Sequence, residues 1–382
     1  MTSDSGLPPA HPAVLSGGAV DWSALTRVLL VRMDNLGDVI LSTPLLRALR
    51  ASLAAGARLD LLASPGGVAL APVLPHVDEV HGWRAPWQDA SGALPVDPVR
   101  EAGLTALLRG YDAVVISTSF SQSPWPAAYA AYLAGVPVRV GQSQEFGGSV
   151  LSSWVLPGPD DHSAHQVDRG LRMLAAAGVP DQGRRLELVV PPAADLRAAE
   201  ALGERDARPL VLLAPGASAP ARRYPRFADA VTGLREAGTR VVVVGTEAER
   251  ALVAEVSGGV DALVGMLDVP ALVAALARAD AVVTNNSGSM HIADAVGTPS
   301  VVLFAGTETI GQYAPRSAQA TVLTRPTGCS PCRAFTCPYA QECLDIEPAE
   351  VVGATLAMLA GGRAHRVGAD RVGAGTAAEV AA

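Results

Sequence analysis

The chain has 382 residues, 49% of them hydrophobic and 17% charged, with a formal net charge of -8. That length is too great for one ordinary core and suits two domains, while the acidic balance argues against nucleic acid as a partner. All 29 basic residues are arginine, so any cationic site must use guanidinium groups, which suit bidentate phosphate contacts.

Residues 1–20 lack the basic start and continuous apolar run of a secretory signal, and no run of about 20 apolar residues could span a bilayer. A cytoplasmic location is expected, with peripheral contact at the inner membrane face left open. Residues 1–20 and 363–382 are rich in small and polar residues and read as flexible tails. Between them, short β-branched runs alternate with stretches of helical period, the pattern of a parallel-sheet α/β protein. Strands are expected at 27–32, 58–63, 112–117 and 138–141, followed by an irregular stretch over 142–165 and a helix over 165–178. A second series of strands is expected at 186–190 (LELVV), 209–216, 240–245, 280–285 and 299–306, with helices over 226–238, 247–258 and 269–280. The reading is two Rossmann-like domains, residues 21–180 and 181–362, facing each other across a cleft. In such sheets ligands bind beyond the carboxyl ends of the strands.

The loop after the first strand, MDNLGDVILS, lacks the Gly-x-Gly-x-x-Gly of a dinucleotide site, and no Walker phosphate loop occurs. There is also no Asp-x-Asp pair to present a divalent metal to a nucleotide diphosphate. Asp38 falls where the next helix begins and reads either as a helix cap or as a catalytic base. Three loops of the second half could hold a phosphorylated ligand. In APGASAPARRYP, Ser218 and Arg222 could meet a phosphate together, or Arg222 and Arg223 could be a solvated pair. In NNSGSMHIADAVG, the amides of Ser287, Gly288 and Ser289 would face an anion at a helix start; the plainer reading is an N-cap at Ser287 and close packing at Gly288. His291, one turn in, taken alone reads as a packing histidine. In GTEAER, Glu247 or Glu249 could accept hydrogen bonds from ribose hydroxyls, or could simply be first-turn acids.

Taken in order, VLLVRMDNLGDVILSTPLLRALR, PGASAPARRYP and NNSGSMHIADAVGTPSVVLF resemble the landmarks of glycosyltransferase family 9, the ADP-heptose:lipopolysaccharide heptosyltransferases, over residues 26–355. The resemblance implies a GT-B fold, with residues 21–180 as the acceptor domain and 181–362 as the nucleotide-sugar domain. It implies inverting, metal-independent transfer of a heptose or related sugar from a nucleotide-diphosphate donor, ADP-linked, to a hydroxyl of a glycan or glycolipid. The family's Gly-Asp falls on Gly37 and Asp38, with Asp38 as general base. Its phosphate-binding lysine falls on Arg222, ahead of Tyr224 and Pro225. Its donor-loop glycine and histidine fall on Gly288 and His291, and its acid after the nucleotide-domain strand on Glu249 or, as second choice, Glu247. Many members carry Asp where this chain has Asn286, a residue expected to contact the donor. Such chemistry needs a base for the acceptor hydroxyl and positive potential for the departing diphosphate, supplied here by Asp38 and by Arg222 with the helix start at 287–289. The two domains would close to bring these groups together. The alternatives are a nucleotide-sugar epimerase or hydrolase of the same fold, or a glycan-binding protein without activity.

Cys329, Cys332, Cys337 and Cys343 form a C-x2-C-x4-C-x5-C cluster within the Cys-rich loop 329–343. Four thiolates this close can surround one structural zinc or iron ion. Two disulfides in any of three connectivities, or free thiols packing a loop, are the other readings; reducing conditions favour the metal. No cofactor is expected for catalysis. Trp83, Trp87 and Trp125 could stack on acceptor sugars or cover the core.

Overall fold

A computed structural model describes residues 20–89, 92–119, 122–161 and 163–373. Residues 1–19 and 374–382 of the expected tails lie outside the described residues, whereas the last helix, Pro348–Gly373, runs through residues 363–373. The chain divides into two compact units. One comprises Met1–Val189 with Gly311–Tyr313, the other Val190–Ile310 with Ala314–Ala382.

The first unit carries six parallel strands, β1 (Arg27–Arg32), β2 (Arg58–Ala63), β3 (Glu79–Gly82), β4 (Ala113–Ile116), β5 (Val138–Gln142) and β6 (Ser153–Val155), in the order β3-β2-β1-β4-β5-β6. The second carries β7 (Leu210–Ala214), β8 (Arg240–Gly245), β9 (Asp261–Val264), β10 (Ala281–Asn285), β11 (Ser300–Leu303) and β12 (Ala320–Leu323), ordered β12-β11-β10-β7-β8-β9. Counted from its own first strand, the second sheet repeats the order of the first. Both are Rossmann-like, and in each the order reverses between the first strand and the fourth, where β1 pairs β4 and β7 pairs β10.

Parallel strands are covered by helices on both faces, so they read as continuous apolar runs. Val28, Leu29, Leu30, Val211, Leu212, Leu213, Val282 and Val283 accordingly show no exposure. The first core joins Leu29, Val31, Val114 and Ile116 to Leu104, Leu108 and Trp154. The second joins Val211, Val243, Val283 and Val301 to Phe227, Leu234 and Val351. Among the described residues no helix is long and apolar enough to cross a membrane.

The segment LELVV, expected as a strand at 186–190, forms none. Arg47, on the helix Thr43–Ser52, takes the carbonyls of Gln182, Gly183 and Arg185 and the carboxylate of Glu187. The Val189 amide donates to the Val73 carbonyl. These bonds hold the connector against the first unit in place of a sheet ladder. The stretch 142–165, expected as irregular, contains β6.

Candidate functional site

The first cluster lies at the carboxyl ends of β1 and β4. Arg32, the last residue of β1, is 2% exposed, and so needs paired charge about it. Its Nε lies 2.8 Å from Asp34 Oδ2 and its Nη2 3.0 Å from Asp38 Oδ1. Nη2 also donates to Ser119 Oγ at 2.9 Å and Nη1 to Ser117 Oγ at 3.2 Å. Burial works against the Arg32 charge, but the two carboxylates outweigh it and hold the guanidinium above its ordinary pKa. Burial raises the Asp34 carboxyl, against the pull of Arg32.

Asp38 sits in the first turn of the short helix Leu36–Ile40, whose N-cap is Asn35. The cap reading of Asp38 therefore does not hold: its carboxylate turns to Arg32 and to Ser119 Oγ, 3.4 Å away. Gly37 is buried in the same turn and its carbonyl accepts from the Leu41 amide. Of the two acids that share Arg32, Asp38, at 15% side-chain exposure, is the more accessible. Such a group can accept a proton from a hydroxyl. Around the adjoining strand ends Ser117, Thr118, Gln142, Gln166 and Arg169 line a pocket, and burial lowers the Arg169 guanidinium to about 10.

In the second unit, the end of β10 fastens the loop that follows β7. Asn285 Nδ2 donates to the Pro215 carbonyl at 2.7 Å, and its Oδ1 accepts from the Tyr224 amide at 3.0 Å. Between these two points the loop presents Ser218 and Arg222, whose Nη1 lies 3.3 Å from Ser218 Oγ. Arg222 Nη2 donates to Glu308 Oε1 at 2.7 Å, and Glu308 Oε2 accepts from Asn286 Nδ2 at 3.3 Å. Asn286 is 3% exposed and its Oδ1 accepts from the Ala305 amide. The helix Gly288–Val296 starts at the N-cap Ser287, which makes no side-chain cap bond; its hydroxyl meets that of Thr284 at 3.2 Å. The amides of this first turn, Ser289 included, thus receive no side-chain cap from Ser287. His291 is buried within the helix.

Glu249 closes a capping box with Thr246 and lies against the β7 loop. A Cβ added at Gly216 would fall 2.0 Å from Glu249 Oε1, so glycine is needed for this approach. Glu247 instead pairs with Arg250 at 2.6 Å on an exposed face, and that bond draws its carboxyl below the ordinary range. Of the two ribose candidates, Glu249 is the one brought to the loop.

Cys329 and Cys332 are exposed, Cys337 and Cys343 half-buried, and all four are free thiols. Burial pushes the Cys343 thiol up and the other three thiols add to the effect, so the four lie within electrostatic reach of one another. Among the described residues, however, no group of three or more His, Cys, Asp or Glu is arranged to hold a metal ion. The Cys loop grips both sides of the Arg222–Glu308 pair: the Cys332 and Arg333 amides donate to the Gly306 and Thr307 carbonyls, and the Phe335 carbonyl accepts from Ala221. Trp83 is in the first core with Trp87 packed on it at 5.2 Å, and Trp125 packs on Trp154 at 5.7 Å. These rings cover core. Sequence reasoning missed Arg32, Asp34, Ser119, Asn285 and Glu308. A charged residue closing an apolar strand was the one available signal, and it pointed to Arg32.

Residues 104–342 match the family model of glycosyltransferase family 9 (heptosyltransferase). The chain belongs to this family. It is 27% identical over 355 residues to lipopolysaccharide heptosyltransferase 2 of Escherichia coli K12, covering 87% of this chain and 98% of that protein. Among solved structures it resembles a family 9 glycosyltransferase from Veillonella parvula, with a TM-score of 0.72 and 21% identity over 90% of this chain and 99% of that one. The E. coli ADP-heptose LPS heptosyltransferase II gives a TM-score of 0.68 at 23% identity, over 88% and 99%. The fold is GT-B, and the protein is a glycosyltransferase of the heptosyltransferase family.

Proposed function

We propose that this glycosyltransferase moves heptose from an ADP-linked donor to a hydroxyl of a lipopolysaccharide-type glycolipid, with inversion and without a catalytic metal. The relatives' names supply the sugar and the acceptor. The observation that carries the chemistry is Asp38, an acid held by Arg32 and Ser119 rather than spent as a cap. The acceptor oxygen attacks the anomeric carbon on the face opposite the diphosphate, and the bond from that carbon to the phosphate oxygen breaks. The hydroxyl proton passes to Asp38 and ADP departs with the bonding pair. Arg222, the Ser218 hydroxyl and the amides at 287–289 hold the charge that develops on the leaving group, with Asn286 beside them. Glu249 accepts from the ribose hydroxyls. His291 is assigned to seating the donor-site helix from within.

The spacing of the four cysteines supports one structural zinc or iron ion in a soft, all-sulfur donor set; the described thiols are not gathered for it, so ligation would draw the Cys loop together. Ligation there would stiffen the two loops that the Cys loop grips. Protein purified without chelator should carry close to one equivalent; less than about 0.2 equivalents counts against the assignment. Reduced thiols fit a cytoplasmic setting, and a glycolipid acceptor would bring the enzyme to the inner membrane face.

The test is calorimetric titration with ADP, UDP, GDP and dTDP without added metal, coupled to transfer assays on Asp38→Ala. ADP should bind selectively, and the variant should keep that binding while losing about 10²- to 10⁴-fold in turnover. Turnover that survives removes Asp38 from the mechanism; a protein that binds no nucleotide is not this transferase.

A further inference from the structure

Glu308 belongs to none of the motifs, and it stands 86 residues from Arg222 in the chain. Its carboxylate, 22% exposed, spans Arg222 Nη2 at 2.7 Å and Asn286 Nδ2 at 3.3 Å. Two neighbouring polar atoms, Arg222 Nε and Thr307 Oγ1, are buried without a hydrogen-bond partner among the described residues. Thr307 itself is 2% exposed. Buried polar groups are ordinarily satisfied, and two orphans beside one accessible ion pair mark a place where a polar ligand completes the bonding.

We infer that Glu308 is the carboxylate that reads the hydroxyl groups of the donor sugar, so that the site prefers a sugar nucleotide to the free nucleotide. The inference rests on the donor-site reading above. A diphosphate lying on Arg222 offers acceptor oxygens only, and a carboxylate beside it gains nothing from them. The sugar is bonded directly to that diphosphate, and its hydroxyls are the nearest donors a carboxylate could accept from. The residue at 286 fits the same assignment. An amide there donates to Glu308, whereas a second carboxylate 3.3 Å away would repel it. The Glu308 backbone is also fixed, because the Gly306 and Thr307 carbonyls accept from the Cys loop.

Titration of the full-length protein and of Glu308→Gln with ADP and with ADP-heptose tests this. The variant keeps the shape of the side chain and removes its charge. It should bind ADP as well as the wild type or better, because Arg222 is no longer neutralised, and should bind ADP-heptose about tenfold more weakly. Glu308→Asp should fall between the two, and it carries the same test if the Gln variant folds poorly. Equal losses for ADP and ADP-heptose would make Glu308 a brace for Arg222 and overturn the inference, as would an unchanged ratio of the two affinities. If the wild type prefers another nucleotide, the matching nucleotide and sugar nucleotide are compared in the same way. A wild type that binds no nucleotide overturns the donor-site reading itself, which distinguishes the two failures.

Discussion

Arg32 and Arg222 occupy matching places in their two units, each at the carboxyl edge where the strand order reverses, and each is ion-paired. Their surroundings differ. Arg32 is sealed at 3% side-chain exposure between two carboxylates and two serine hydroxyls. Arg222 is 21% exposed and has one carboxylate. A sealed cation serves its neighbours, here by holding Asp38, the acid proposed as the base. A reachable cation in a neutral pair retains binding capacity for an incoming anion. Exposure and the number of carboxylates, rather than residue type, separate the two roles.

Replacement of Arg32 should break this comparison most severely. Arg32→Met strands Asp34 in the core, and removal of one partner from a buried pair costs about 3–5 kcal/mol, readable as a lower urea midpoint. Replacing Asp34 as well, in Arg32→Met/Asp34→Leu, should restore much of that stability. It should not restore turnover, since Asp38 would have lost its holder. Full recovery of activity in the double variant would show that Arg32 serves only the fold.

The corresponding change in the second unit should leave the fold nearly intact. An accessible ion pair contributes at most about 1 kcal/mol, so Arg222→Ala should unfold close to the wild type. Its affinity for ADP should nonetheless fall by about 1.5–3 kcal/mol, the loss of a hydrogen bond to a charged group. Calorimetry and a melting curve on the same sample separate the two effects. A large loss of stability with unchanged ADP affinity would reverse the assignment.

These contrasts also show what was legible in the sequence. The central strands were, because burial on both faces demands unbroken apolar runs such as RVLLVR and RVVVVG. All four unforeseen strands, β3, β6, β9 and β12, are sheet edges of three or four residues. Three of them are only partly buried, as in the Glu79–Gly82 strand, so neither length nor hydropathy announces them. LELVV misled for the opposite reason: it has strand composition, but Arg47 claims its neighbourhood. At the site, Asn286 was legible because it directly follows a strand, and Asp38 and Arg222 because they lie in the segments that lead from β1 and β7 to the next helix. Their partners were not. Ser119 and Glu308 reach them across 81 to 86 residues through sheet order alone.

Asn286→Asp sharpens the comparison by giving the second cluster the first one's excess of carboxylates. With Glu308 3.3 Å from position 286, two like charges would share one corner, and one of them would resist ionisation. ADP binding by the variant should therefore weaken as pH rises and the second carboxyl loses its proton, since the ionised pair repels the diphosphate. The expected fall is about tenfold, the equivalent of one pKa unit, and binding measured across the pH range should show it against a flatter wild-type profile.

Ser218→Ala should have the smallest effect and the narrowest meaning. Its hydroxyl lies 3.3 Å from Arg222 Nη1, at the long end for a hydrogen bond, so it adds little to the resting structure. If the hydroxyl also donates to the diphosphate, its loss should weaken ADP binding by about 0.5–1.5 kcal/mol with no change in unfolding. An unaltered ADP affinity would confine the phosphate contact to Arg222 and the helix start. Arg222 and Ser218 would then not act as a pair, although four residues in sequence and a shared loop bring them together.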